Sequence, residues 1–151
     1  MLSLTQPKYT MVNLLQIELW PKFNNIGLPG HQGSGLQPCA MSDWFACYIC
    51  LELRSASHFT NAMMKSKRGK LLPVLSTERC KRFCIDCGIR MGHYGPGMEM
   101  EFGGARMLFD RSYGRGVVCC MCRSFKPVLS EMQSKLKTCR ECLSEVGELD
   151  C

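Results

Sequence analysis

The chain has few of the residues that fill ordinary protein cores. Leucine, isoleucine, valine and phenylalanine make up only 35 of its 151 residues. The hydrophobic fraction reaches 46% because the sequence also contains 12 cysteines and 11 methionines. Such a core is thin, and small folds commonly compensate with a structural metal. We therefore expect a fold that depends on bound metal and a metal-free chain that is largely disordered.

Two kinds of targeting segment are also missing from the sequence. No stretch approaches the roughly 18 consecutive apolar residues of a membrane span, so no membrane partner is expected. The first twenty residues, MLSLTQPKYTMVNLLQIELW, lack the basic start, unbroken apolar run and cleavage site of a secretory signal. A cytoplasmic or nuclear location is the resulting expectation, and there cysteines stay reduced and available to metals.

Eight of the twelve cysteines form four Cys-x-x-Cys pairs. Two intervening residues let a tight turn direct both sulfur atoms toward one ion, while the amides of the turn donate to the thiolates. Four such pairs in one short chain predict two structural zinc ions, each with four cysteine ligands. Buried structural cysteines and disulfides are the alternatives. The predicted zinc ligands are Cys47, Cys50, Cys84, Cys87, Cys119, Cys122, Cys139 and Cys142.

The order of the pairs favours sequential pairing of ligands. The pattern of CYICLELR at Cys47 recurs in CCMCRSFK at Cys119. Each is followed along the chain by a cysteine pair that has basic residues just before it, in KRFCIDCG and LKTCREC. The simplest scheme joins the first pair to the second and the third to the fourth. A cross-braced scheme, first with third and second with fourth, stays open. The RING pattern fits poorly, because no histidine or cysteine follows a third ligand at the spacing that it requires.

Composition divides the chain into three parts. Residues 1–40 include a Gly/Pro-rich stretch, NNIGLPGHQGSGLQP, and are expected to be flexible or poorly structured. Residues 41–145 form the cysteine-rich zinc-binding module, with units at about 43–92 and 93–145. Residues 146–151 are a tail.

Short elements are predicted within these parts. MVNLLQIELW favours a helix that ends before Pro21 and has one apolar face, formed by Val12, Leu15 and Leu19. SASHFTNAMMKSKRGK favours a helix ending at Gly69. MEMEFGGARMLFD favours a β-hairpin turning at Gly103 and Gly104, and GVVCC a further strand. The predicted fold is a small α+β protein with two zinc-stapled ribbon or knuckle units, short helices and a β-hairpin.

The formal net charge of +6 points toward a nucleic-acid partner, but two four-thiolate zinc sites would lower it to about +2. A basic segment remains at 54–90, with nine basic and two acidic residues. It supports an alternative function as a zinc-ribbon nucleic-acid-binding protein, with Phe83 or Tyr94 stacking on bases. A solvated loop face is the other meaning of such a segment. Its basic residues are Arg54, Lys65, Lys67, Arg68, Lys70, Arg79, Lys81, Arg82 and Arg90.

The remaining cysteines and histidines are not expected to be ligands. Cys80 and Cys120 lie close enough to predicted ligands to substitute for them, whereas Cys39 and Cys151 are expected to be exposed thiols. His93 is expected to pack on Tyr94. No nucleophile and base pair is evident, and zinc held by four cysteines has no open position, so we do not expect an enzyme.

The motifs DWFACYICLELRSASHF, KRFCIDCGIRMGHYGPG, YGRGVVCCMCRSF and KTCREC occur in an order that resembles the cysteine-rich region of filamentous-fungal F-box proteins. The resemblance covers about residues 43–142. It implies that the eight paired cysteines are structural zinc ligands and that Arg82, Phe83 and Gly88 surround the second cysteine pair, Cys84 and Cys87. Gly88 is expected to have positive φ there.

The resemblance also implies a function. F-box proteins are the substrate receptors of cullin-type ubiquitin ligases, in which an F-box docks a Skp-type adaptor and the remainder recruits targets. Residues 1–40 show no F-box with its Leu-Pro start and successive apolar helices. The expected function is therefore a non-enzymatic zinc-binding protein-interaction module, with a Skp-type adaptor or another protein as partner.

Overall fold

The computed structural model describes residues 9–24, 43–70, 77–104 and 114–148. The described helices are α1 (Met11–Ile17), α2 (Ile85–Arg90), α3 (Glu131–Leu136) and α4 (Arg140–Glu148). The strands are β1 (Trp44–Cys47), β2 (Glu52–Ser55), β3 (Glu99–Phe102), β4 (Gly114–Val118) and β5 (Phe125–Pro127). The small α+β class is confirmed. None of these described helices is long and apolar enough to span a membrane.

The first unit is built on an antiparallel hairpin of β1 and β2. Three short 3-10 turns follow it, at Ala56–His58, Asn61–Met63 and Ser66–Arg68, where the sequence predicts one helix. The prediction is wrong because Thr60 has extended backbone and forms a β-bridge with Phe102. Pairing with a distant strand therefore overrides the local helical preference.

The second unit is a three-stranded antiparallel sheet in the order β3-β4-β5. Gly103 and Gly104 both have positive φ at the end of β3, as a turn requires. However, β3 pairs with β4, from Glu99 opposite Val117 to Phe102 opposite Gly114. The second arm that the sequence predicts directly after Gly104 lies outside the described residues. The expected third strand, β4, is thus the partner of β3.

Strand β3 also joins the two units. Its Phe102 forms the bridge to Thr60, and the following Gly103 N–H donates to the Phe59 carbonyl at 3.2 Å. The Gly104 N–H donates to the Asn61 side chain at 2.8 Å. The edge of the second sheet is therefore hydrogen-bonded to the turns of the first unit.

Helix α1 packs on the first unit. Thr10 caps it in a reciprocal capping box with Asn13, and Leu14 and Leu15 are buried beside Ala46. The predicted face was wrong in part, since Val12 is 46% and Leu19 36% exposed. The expectation of a poorly structured segment at 1–40 likewise differs from the structure for residues 9–24, because these residues are folded against β1.

A buried ion cluster explains this packing. Glu18 is fully buried and accepts from Arg79 at 2.8 Å, from Arg82 at 2.7 Å and from the Ala46 N–H at 2.7 Å. Both guanidinium groups are themselves fully buried. Lys70 donates to the Glu18 carbonyl at 3.0 Å, and burial lowers the pKa of its amine to about 8. The cluster binds α1 to the segment that carries the second cysteine pair.

Candidate metal centres

The eight predicted ligands come together in two groups. The sulfur atoms of Cys47, Cys50, Cys84 and Cys87 all lie within 4.8 Å of one another, and so do those of Cys119, Cys122, Cys139 and Cys142. Sequential pairing is therefore confirmed over the cross-braced alternative. Cys80 and Cys120 belong to neither group.

The groups fit two structural zinc ions. A zinc–sulfur distance of about 2.3 Å in a regular tetrahedron requires sulfur atoms about 3.8 Å apart. The Cys122 and Cys139 sulfur atoms are 3.8 Å apart. Four thiolates are the ligand set of structural rather than catalytic zinc.

The first pair of each group lies in a knuckle between two hairpin strands. In the first unit Phe45 pairs with Arg54, and in the second Val117 pairs with Lys126, so both hairpins share one register. The amide after each knuckle closes the turn, from Leu51 to the Cys47 carbonyl at 3.0 Å and from Arg123 to the Cys119 carbonyl at 2.9 Å.

Both turn residues, Leu51 and Arg123, have positive φ. The left-handed residue of each knuckle thus directly follows its second cysteine. Glycine is the residue that adopts this conformation at least cost, and neither knuckle has one there.

The second pair of each group lies at the start of a helix. Cys84 is the N-cap of α2 and Cys87 lies in its first turn, while Cys139 immediately precedes α4 and Cys142 lies in its first turn. The helix N-terminus presents the positive end of the backbone dipole to the thiolates. In each unit, therefore, a hairpin and a helix hold the sulfur atoms, in place of two ribbon-like hairpins.

Backbone amides donate to one sulfur in each group. The Cys47 sulfur accepts from the Cys84 N–H at 3.3 Å, and the Cys119 sulfur accepts from the Cys139 N–H at 3.3 Å. The Cys119 sulfur also accepts from the Met121 N–H at 3.4 Å. Such donors stabilise thiolates.

These contacts set the acidity of the thiols. Hydrogen bonding from the Cys84 thiol, aided by backbone amides, lowers the pKa of Cys47 to about 4. Burial raises the pKa of Cys119, but amide donors outweigh it and lower that pKa to about 6. Burial raises the pKa of Cys50 to about 11, and hydrogen bonding with Cys139 raises the pKa of Cys142 to about 12. Zinc binding must displace the protons of the Cys50 and Cys142 thiols, so the affinity of the protein for zinc falls as the pH falls.

An ion pair links hairpin and helix in both units. Arg54 on β2 contacts Asp86 at 3.4 Å, and Lys126 on β5 contacts Glu141 at 3.3 Å. Each acid lies inside the second cysteine pair, and each base lies seven residues after the first cysteine of its knuckle. The repeat CYICLELR and CCMCRSFK ends on these two basic residues, but the sequence analysis counted Arg54 only in the basic segment and predicted neither ion pair.

The surround of the first group differs from expectation at two residues. Gly88 lies within α2 and does not have positive φ. There is no room for a side chain at this position, because a Cβ would lie 2.5 Å from the Tyr94 ring and 2.9 Å from Phe83. His93 stacks on Phe83, with ring centroids 4.7 Å apart, rather than on Tyr94. Arg82 is buried against the ring of Phe45, 4.8 Å from its centroid.

The other thiols have different surroundings. Cys80 is half-buried against α1, while Cys120 is exposed beside the second group. Cys39 and Cys151, like His31, lie outside the described residues. His58 contacts the Ser55 and Ser57 hydroxyls and belongs to neither group.

Comparison with known proteins gives no relative: no family model, curated protein or solved structure matches the chain. The fold and the two cysteine groups alone define its class. It is a small α+β protein with two zinc-binding knuckle units.

Proposed function

We propose that this protein is a non-enzymatic zinc-binding protein-interaction module, similar to the substrate-receptor part of F-box ubiquitin-ligase adaptors. The observation that carries the proposal is an apolar groove of about 510 Å³. It lies between residues 9–24, here called the α1 segment, and the hairpin of β1 and β2. Its apolar lining includes Tyr9, Ile17, Trp20 and Phe23 from one side and Leu51 and Leu53 from the other.

The groove has the composition of an interaction surface. Trp20 is 56% and Tyr9 44% exposed, and large aromatic residues are the commonest anchors of protein interfaces. Each zinc ion would be held by four cysteines between a hairpin and a helix, where it stabilises the scaffold instead of meeting a substrate. The buried Glu18 cluster fixes α1, so the groove is presented by a rigid element.

The nucleic-acid alternative finds little support in the described surface. Of its nine basic residues, Lys70, Arg79 and Arg82 are buried and bonded to the α1 segment. Arg54, Arg68 and Lys81 contact acidic side chains. The segment is therefore not one continuous basic face, and we do not propose nucleic acid as the partner.

The interaction is tested by changing the groove without changing the fold. Partners captured from cells that express the protein are purified and their affinity is measured for the wild type, Trp20→Ala and Met132→Ala. Met132 is a matched control, since it is 63% exposed on α3, away from the groove. Loss of an interface anchor costs about 2 kcal/mol, or roughly thirtyfold in Kd, and we expect this for Trp20→Ala alone. A partner that binds all three proteins equally would overturn the proposal.

The adaptor part of the proposal has its own test. Purified Skp-type adaptor is mixed with the zinc-loaded protein and analysed by size-exclusion chromatography. A stoichiometric complex is expected if the chain acts as a ligase receptor. Absence of a complex would overturn the adaptor role and leave the interaction module to be judged by the groove experiment.

A further inference from the structure

The two zinc-binding groups share a geometry but differ in exposure. In the first group Cys47, Cys84 and Cys87 are buried and Cys50 is half-buried. In the second, Cys119, Cys139 and Cys142 are buried, but Cys122 is exposed. The second group is therefore the one that includes a cysteine exposed at the surface.

The side chains around the groups differ as well. Arg90 donates to the Cys87 sulfur at 3.3 Å, and Phe45, Phe59, Met63 and Met64 pack around the cysteines of the first group. The buried cluster of the second group consists of its own cysteines, Cys119, Cys139 and Cys142. Hydrogen bonding and burial reduce the reactivity of a thiolate, so the first group is the better protected.

Two sulfur atoms of the second group are placed for bond formation. The Cys122 and Cys139 sulfur atoms are 3.8 Å apart, and Cys122 is an exposed residue whereas Cys139 is a buried one. We propose that the second group is an oxidation site, at which a hydroperoxide converts Cys122 and Cys139 to a disulfide and releases zinc, while the first group keeps its ion. This inference rests on the zinc binding in the proposed function.

The reaction balances with hydrogen peroxide as oxidant. The Cys122 thiolate attacks one peroxide oxygen, the O–O bond breaks, and hydroxide leaves and takes up a proton to form water. The Cys139 thiolate then attacks the sulfenic sulfur of Cys122, forming the S–S bond and releasing a second hydroxide, which is also protonated. Two electrons pass from two thiolates to one peroxide. Only Cys119 and Cys142 would then remain as thiolate ligands of the second group, too few to hold a zinc ion.

The structural consequence is confined to the second unit. Cys122 lies in the knuckle between β4 and β5, and Cys139 lies before α4, so loss of zinc removes the ion that joins hairpin to helix. The Lys126 to Glu141 ion pair is exposed and contributes little in its place. The groove belongs to the first unit and α1, and it stays intact.

The experiment treats the zinc-loaded full chain with hydrogen peroxide. Zinc per molecule is followed by native mass spectrometry, and free and oxidised cysteines are located by differential alkylation and peptide mass spectrometry. We expect one zinc to leave at least about tenfold faster than the other, with a disulfide between Cys122 and Cys139. Equal loss of both ions, or earlier loss from the first group, would overturn the inference and leave zinc binding intact. Untreated protein that binds no zinc would overturn the proposed function too.

Two spare-thiol variants identify the attacked sulfur. Cys120→Ser removes the exposed thiol beside the second group, and Cys80→Ser is the matched change beside the first. If Cys122 is attacked directly, both variants release zinc within about twofold of the wild-type rate. Markedly slower release from Cys120→Ser, or a disulfide that contains Cys120, would overturn the assignment to Cys122.

Discussion

At the scale of single residues, Glu18 is expected to contribute strongly to stability. It is fully buried and forms ion pairs with both Arg79 and Arg82, which are buried too. Removing one partner of a buried ion pair leaves uncompensated charge, at a cost of about 3–5 kcal/mol. We therefore expect Glu18→Gln to lower the free energy of unfolding by that amount in urea denaturation of the zinc-loaded protein.

The control for that experiment is Glu52→Gln. Glu52 also contacts an arginine, Arg54, at 3.0 Å, but its side chain is 60% exposed. Exposed pairs contribute at most about 1 kcal/mol. Equal effects of the two substitutions would show that the Glu18 cluster does not hold α1 in place.

Gly88 allows a second prediction at this scale. Helix propensity alone favours Gly88→Ala by about 1 kcal/mol. A Cβ would, however, lie 2.5 Å from the Tyr94 ring, and such overpacking costs about 1–3 kcal/mol. We expect a net loss of stability in thermal unfolding, whereas Gly95→Ala, which meets no atom within 4 Å, stays near the wild type. A stabilised Gly88→Ala protein would contradict the packing described for Tyr94.

Arg123, which follows the second cysteine of its knuckle, allows a third prediction at this scale. Its φ of 60° places a Cβ in the left-handed region, at a cost of about 1 kcal/mol relative to glycine. Comparing Arg123→Gly with Arg123→Ala isolates this term, because both remove the same long side chain. We expect the glycine variant to unfold at the higher urea concentration; the reverse order would mean that the turn is not strained.

At the scale of elements, substitutions in helix α1 test which of its residues form the buried face. Leu15 is fully buried and Val12 is 46% exposed, although the sequence places both on one apolar face. Truncating a buried leucine costs about 2–5 kcal/mol. Leu15→Ala should therefore lower the free energy of unfolding by at least about 2 kcal/mol, and Val12→Ala by less than about 0.5 kcal/mol. Similar effects at the two positions would support the apolar face predicted from the sequence, in which Val12 and Leu15 are both buried.

The sequence predicts those elements whose determinants are local. Cysteine spacing is local, so the four Cys-x-x-Cys pairs follow from it directly, whereas the sequence left the cross-braced scheme open and the structure shows the sequential one. The partners of Glu18 lie about sixty residues further along the chain, at Arg79 and Arg82, and no periodicity within α1 reveals them. The 3-10 turns were missed for the same reason, since Thr60 is held extended by Phe102.

At the scale of the whole molecule, the two units depend on their zinc ions to different degrees. The cysteines of the first group form one core with Phe45, Phe59, Met63 and Met64. That core supports the Phe59 and Thr60 backbone to which β3 is bonded. The cysteines of the second group form a cluster of their own. Loss of the first ion should therefore disturb both units, and loss of the second should disturb one.

Single ligand substitutions separate these cases. In Cys119→Ser we expect one bound zinc by native mass spectrometry and retained hydrogen-exchange protection at the Ala46 and Gly103 amides, which are bonded to Glu18 and Phe59. In Cys47→Ser we expect both amides to exchange rapidly, because the core beneath them is lost. Protection at Gly103 that survives Cys47→Ser would mean that β3 is held by its own sheet. Rapid exchange at Ala46 in Cys119→Ser would instead mean that the units fold as one.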